Sequence, residues 1–154
     1  MFETTTDQQL IHYADLLNFN INQIKTKDNF KGKVKPGFYI ANLDNLTGSG
    51  THWVAFYCVN NMVMFFDSFG LAPAKDIISF CKGNQIIYNV EQVQDINSFA
   101  CGYWCIAFFM YFKLIPPSRL NNKKTLGYYF NNFLKPFDVQ QIKRNEKILE
   151  EHLK

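Results

Sequence analysis

Apolar and polar positions along the chain change period several times, and each change marks an element. Leu10, Ile11, Ala14 and Leu17 recur at helical spacing behind Thr6. They predict a helix over Asp7–Leu17, capped by Thr6 and with Asp7 near its positive end. The stretch NFNINQIKTKDNFKGKVKPG (18–37) is polar, punctuated by Gly and Pro, and reads as a loop. Three short apolar runs follow, FYIANL (38–43), HWVAFYCV (52–59) and MVMFF (62–66), rich in aromatic and β-branched residues. They predict strands. Asn60-Asn61 between the last two predicts a tight hairpin, and NLTGSGT (45–51) a turn. Beyond Gly70 and Pro73, Ala74–Lys82 reads as a helix with Ile77, Ile78 and Cys81 inward, and Gln85–Val93 as a returning strand. Helices are predicted over Cys101–Leu114, Thr125–Leu134 and Asp138–Lys154, the last with Val139, Ile142, Ile148 and Leu149 as its apolar set. No repeat or linker divides the chain, so residues 1–154 are expected to form one α+β domain.

Composition supports a packed core. The 154 residues are 47% hydrophobic and 19% charged, with 16 phenylalanines, so the interior is expected to be ring-rich. The Asn, Lys, Ile and Phe bias fits an AT-rich coding genome. The longest greasy run, CIAFFMYFKLI, is broken by Lys113 and stops at Pro116-Pro117. A bilayer crossing takes about 20 residues, so the run reads as a buried helix. The polar opening MFETTTDQQL lacks the basic and apolar regions of a secretory leader. A net charge of +3 permits weak attraction to nucleic acid, DNA included, or another polyanion without demanding it, and an ordinary basic protein is the better account. Cys58, Cys81, Cys101 and Cys105 come without a secretory signal, which argues against disulfides. They make no CxxC pair, and His12, His52 and His152 are scattered, so no zinc site is expected.

Four residues can do chemistry. His52 opens an apolar strand. Alone it is better explained as a half-exposed strand histidine. Asp67 closes the next strand, and antiparallel pairing through Asn60-Asn61 brings it to the same open end as His52. A carboxylate there can fix the imidazole tautomer, although a lone Asp in DSFG also suits a turn. Cys101 falls at a predicted helix N-terminus, where the dipole and a nearby imidazolium lower a thiol pKa. Its backbone N–H is available to an oxyanion, and Gly102 would let a substrate carbonyl approach. Cys105 lies one turn deeper and reads as core. Gln94, seven residues before Cys101, can donate its amide to an oxyanion or simply face solvent. Trp53 and Trp104 suit either a groove wall or a core anchor.

The segments GTHWVAFY, MFFDSFG and VQDINSFACGYWC carry a resemblance. Together they resemble the adenovirus maturation protease (adenain-like) family, within the wider group that includes the ubiquitin-like-protein proteases. TDQQLIHYADLL and PGFYIANLDN are similar to that family's opening helix and first strand, so the resemblance runs from about Thr4 to Phe112 and fades from Ile115 onward. It implies a cysteine endopeptidase with a central mixed sheet flanked by helices and the chain order His, acid, Cys. By carry-over, Cys101 is the nucleophile, His52 the general base, Asp67 the orienting acid and Gln94 the side-chain oxyanion donor.

The resemblance also implies substrates: capsid or core precursor proteins of a small DNA virus, virophage or related mobile element, cut after small, glycine-containing motifs. The protein is then expected in the host cytoplasm, viral factory and virion, as a monomer without membrane attachment. No cofactor is required by the sequence. A DNA or peptide activator is left open, because the family's peptide-accepting cysteine aligns with Gly83, and Cys81 is out of register. Two rivals remain: a deconjugating protease for ubiquitin-like modifiers, and a catalytically idle binding domain of the same fold.

Overall fold

In the computed structural model of the chain, residues 5–18, 20–43, 52–95, 98, 100–137 and 142–153 are described. The predicted turn at 45–51 and Val139 lie outside them.

The hairpin organises the sheet. Asn60 and Asn61 adopt left-handed φ of 51° and 63°, which asparagine tolerates better than most residues and which a tight I′ turn requires. It joins β3 (Trp53–Val59) to β4 (Met62–Phe66), with Val59 opposite Met62 and Ala55 opposite Phe66. On the other side of β3 lies antiparallel β2 (Gly37–Asn42). Two parallel edge strands complete the sheet, β1 (Ile21–Thr26) on β2 and β5 (Gln85–Tyr88) on β4. The five-stranded mixed order is β1-β2-β3-β4-β5.

Two departures from the sequence pattern concern the edges. The stretch 18–37, expected as loop, contains β1. The strand expected over Gln85–Val93 ends at Tyr88. Both edge strands lack the buried-on-both-faces run that makes a central strand conspicuous.

β3 and β4 are buried at every position, which explains why they are continuous apolar runs and not alternating ones. Trp53, Ala55, Tyr57, Met62, Met64 and Phe66 enter one core. Val54, Phe56, Cys58, Val63 and Phe65 enter the other, opposite face. The first core is covered by α1 (Asp7–Leu16), α3 (Cys101–Lys113), α4 (Lys123–Leu134) and α5 (Ile142–His152). Its rings interlock: Phe66 stacks on Phe108 at 5.4 Å and meets Phe133 edge-on at 5.2 Å. The second core is closed by the short α2 (Lys75–Phe80) and Phe30. On α2, Ile77 and the following Cys81 are buried as expected, but Ile78 is turned out, 48% exposed, because consecutive helix positions point about 100° apart.

α1 starts where its cap predicts. Thr6 Oγ1 accepts from Gln9 N at 3.2 Å and Gln9 Oε1 from Thr6 N at 2.8 Å, a full capping box. α3 is buried through most of its length, including Trp104, Cys105, Phe108, Phe109 and Phe112. Trp104 is therefore a core anchor at 1% exposure, and Trp53, at 8%, is nearly so. Neither forms an open groove wall. No helix among the described residues is long and apolar enough to cross a membrane.

Candidate active site

The open end of the β3–β4 hairpin brings together the residues with reactive side chains. The register that sets Ala55 opposite Phe66, extended outward, places His52 and Asp67 on the same face of the sheet. Their side chains meet: His52 Nε2 lies 2.7 Å from Asp67 Oδ1. Asp67 is fully buried and His52 is 9% exposed. The same Oδ1 accepts from Phe69 N at 2.8 Å, closing an Asx-type turn. Gly70, at φ 76°, donates to Asp67 O at 2.8 Å. A Cβ there would come within 2.8 Å of the Glu91 backbone. The chain thus turns sharply at glycine to pack beside residues 91–92.

Cys101 approaches from α3, of which it is the first residue. Its Sγ accepts from Trp53 N at 3.4 Å. The thiol also lies close enough to the His52 ring to favour its charged form. With Nε2 committed to Asp67, Nδ1 is the ring nitrogen left available to a neighbouring group. The imidazole is thus held between a carboxylate and a thiol. Burial pulls its pKa down, but the hydrogen bond it donates to the Asp67 carboxylate and the interaction with the neighbouring Cys101 outweigh it. The result is a value raised to about 9. Near neutral pH the ring is therefore a cation, able to hold a thiolate beside it. Phe69 lies flat on this ring with centroids 4.2 Å apart and planes 10° from parallel, a cation–π arrangement that also keeps water off one face.

All four thiols are free and buried. Burial raises Cys58, pushes Cys81 to about 12 and holds Cys105 well above the ordinary thiol value. All three stay protonated at neutral pH.

Gln94 does not face solvent; it is 2% exposed. Nε2 donates to Ser98 O at 3.0 Å and Oε1 accepts from Ser68 Oγ at 2.5 Å. The Ser98 carbonyl can only accept, which fixes which end of the amide is nitrogen. One of the two N–H groups is used there. The loop that carries Gln94 is anchored by its neighbours: Val93 N and Gln94 N both bond Ser68 O, at 2.9 and 3.0 Å. Gln92 Nε2 donates to Gln94 O at 2.8 Å. From α5, fully buried Asn145 donates to Val93 O at 3.0 Å.

Several site residues escaped the sequence reading. Asn89 Oδ1 accepts from Asp67 N at 3.0 Å, and its Nδ2 donates to Asp67 O at 2.6 Å and to Glu91 O at 3.2 Å. One side chain thus pins both backbone groups of the acid. Ser68 and Asn145 were missed for the same reason: a small polar residue in a turn or helix gives no hint of a partner tens of residues away. Gly102 was assigned the wrong task. A Cβ on it would collide with Thr5 Oγ1 and meet Leu10 Cδ2 at 3.0 Å. Its missing side chain admits Thr5 and Leu10, not a substrate carbonyl.

No family model and no curated relative matches the sequence. Among solved structures, the chain is similar to one described as "SUMO protease Ulp1 with the catalytic cysteine oxidized to a sulfinic acid". The TM-score is 0.38 and the identity 16%, over 76% of this chain and 53% of that one. The match therefore spans about half the length of that neighbour.

Proposed function

We propose that the protein is a cysteine endopeptidase in which Cys101 is the nucleophile, His52 the general base and acid, and Asp67 the residue that orients His52. The observation that carries this reading is the buried Asp67–His52 pair beside the Cys101 thiol, which sits at a helix N-terminus and accepts from Trp53 N, the residue after His52. Thiolate and imidazolium stabilise each other there, and the first turn of α3 adds its positive end.

The reaction follows from the geometry. The Cys101 sulfur attacks a peptide carbonyl carbon; the S–C bond forms as the carbonyl π pair moves to oxygen. The Cys101 N–H, which has no intrahelical acceptor, and the second N–H of Gln94 receive the oxyanion. His52 gives its proton to the departing amine as the C–N bond breaks, leaving a thioester. His52 then takes a proton from water, whose oxygen attacks the thioester, and the acid product leaves with the thiolate and imidazolium restored. The substrates proposed are the capsid or core precursors implied by the sequence resemblance, cut after small residues that fit beside the buried site.

The test uses purified protein and a proteome-derived peptide library, with new termini read by mass spectrometry. Wild type and Cys105→Ala are expected to give one shared set of termini and Cys101→Ala none. Cleavage that persists in Cys101→Ala and is lost in Cys105→Ala overturns the assignment. Rapid labelling of Cys101 by a ubiquitin-like modifier carrying a C-terminal electrophile, with no peptide cleavage, would move the substrate to a deconjugation reaction. The termini also give the residue preference on each side of the cut.

A further inference from the structure

We propose that Ser68 is a positioning residue for the Gln94 amide. Ser68 is buried, 2% exposed, between Asp67 and Phe69. It holds the Gln94 segment at three points: its carbonyl accepts from Val93 N and Gln94 N, and its hydroxyl donates to Gln94 Oε1. The two backbone bonds locate the loop. The hydroxyl does something they cannot, because it acts on the side chain.

Gln94 must present nitrogen, not oxygen, to a developing oxyanion; a flipped amide would repel it. Ser98 O draws the Nε2 end to one side, and the Ser68 hydroxyl occupies the Oε1 end. Held at both ends, the amide has one plane and one orientation. A donor on Oε1 also draws electron density toward that oxygen and makes the remaining N–H a stronger donor. The three consecutive residues Asp67, Ser68 and Phe69 therefore serve three different groups: the His52 nitrogen, the Gln94 amide and the His52 ring face. The acid and the oxyanion donor are coupled through one residue of backbone.

This inference rests on the peptidase reading, and its test separates the two. Two rates are measured on each variant: turnover of a fluorogenic peptide built from a cleaved site, and alkylation of Cys101 by iodoacetamide. Alkylation needs the thiolate but forms no oxyanion. Ser68→Ala is expected to lower kcat about tenfold, a fraction of the loss from removing an oxyanion donor outright, with KM and the alkylation rate unchanged. Ser68→Thr, which keeps the hydroxyl, is expected to restore most of kcat. In a Gln94→Ala background, Ser68→Ala is expected to cost nothing further. Wild-type kcat in Ser68→Ala, an equal loss in the Gln94→Ala background, or a parallel fall in alkylation overturns the positioning role while leaving the peptidase reading intact. Turnover that survives Cys101→Ala overturns both.

Discussion

Phe69 covers one face of the His52 imidazole, ring on ring at 4.2 Å, while Asp67, two residues earlier, holds that imidazole by its Nε2 edge. The stack limits rotation about the bond that joins the ring to its stem. It also shelters an ion pair from water, where the attraction would be weaker. Phe69→Ala is therefore expected to lower kcat/KM about tenfold, in line with the ~0.5–1.5 kcal/mol of an aromatic pair. Phe69→Tyr should stay near wild type. Steady-state kinetics on both variants checks this, and equal activity of Phe69→Ala and wild type would refute it.

His52 links activity and stability to pH in one direction. Its folded value is raised from 6.5 to about 9, so the folded state holds a proton that the unfolded chain releases. The resulting stabilisation is fully present below pH 6.5 and is lost as pH rises through about 9. Across that window the contribution falls by about 1.4 kcal/mol per pH unit. Urea unfolding at pH 6.5, 7.5 and 8.5 should show this slope as the difference between wild type and His52→Gln. A parallel pair of curves would contradict the assignment.

Asn89→Ala removes a side chain that satisfies two buried backbone groups of Asp67. Asp67 O keeps the Gly70 N–H, but Asp67 N is left unpaired, which is expected to cost about 1–3 kcal/mol in urea unfolding. Activity should fall further than stability alone explains, because the acid loses its fixed position. Unchanged kcat at a temperature where the variant is fully folded would show that Asp67 is held well enough without it.

Gly102→Ala drives a methyl group into Thr5 and against Leu10. Overpacking of this kind is expected to cost about 1–3 kcal/mol. Pairing it with Thr5→Gly should recover much of the loss, since the collision is with the Thr5 hydroxyl. The double-mutant cycle, read by thermal unfolding, measures the coupling; additive losses would mean the clash lies elsewhere.

What the sequence reveals depends on how far a residue's partners lie along the chain. β3, β4 and their turn are plain, because a doubly buried strand and an Asn-Asn turn are local signals. His52 and Asp67 follow from them, since a hairpin register can be counted. β1 is hidden because INQIKT carries only two apolar residues and pairs in parallel with a strand some 16 residues on. Ile78 was misplaced by reading two neighbouring isoleucines as one face. Gln94 is a candidate from the sequence, but a solvent-facing place fits it equally there; its burial depends on Ser68 and on Asn145 in α5, 51 positions away. Gly102, next to the cysteine, reads as room for a substrate carbonyl, and only the crossing of Thr5 over α3 reveals why no side chain fits.

That crossing has a consequence for control. Thr5 seats its backbone carbonyl on the indole N–H of Trp53 at 3.0 Å. It also rests its side chain in the notch at Gly102. Trp53 follows His52, and Gly102 follows Cys101. Thr5 therefore ties the residue after His52 to the residue after Cys101, and whatever displaces Thr5 disturbs the start of β3 and the start of α3 together.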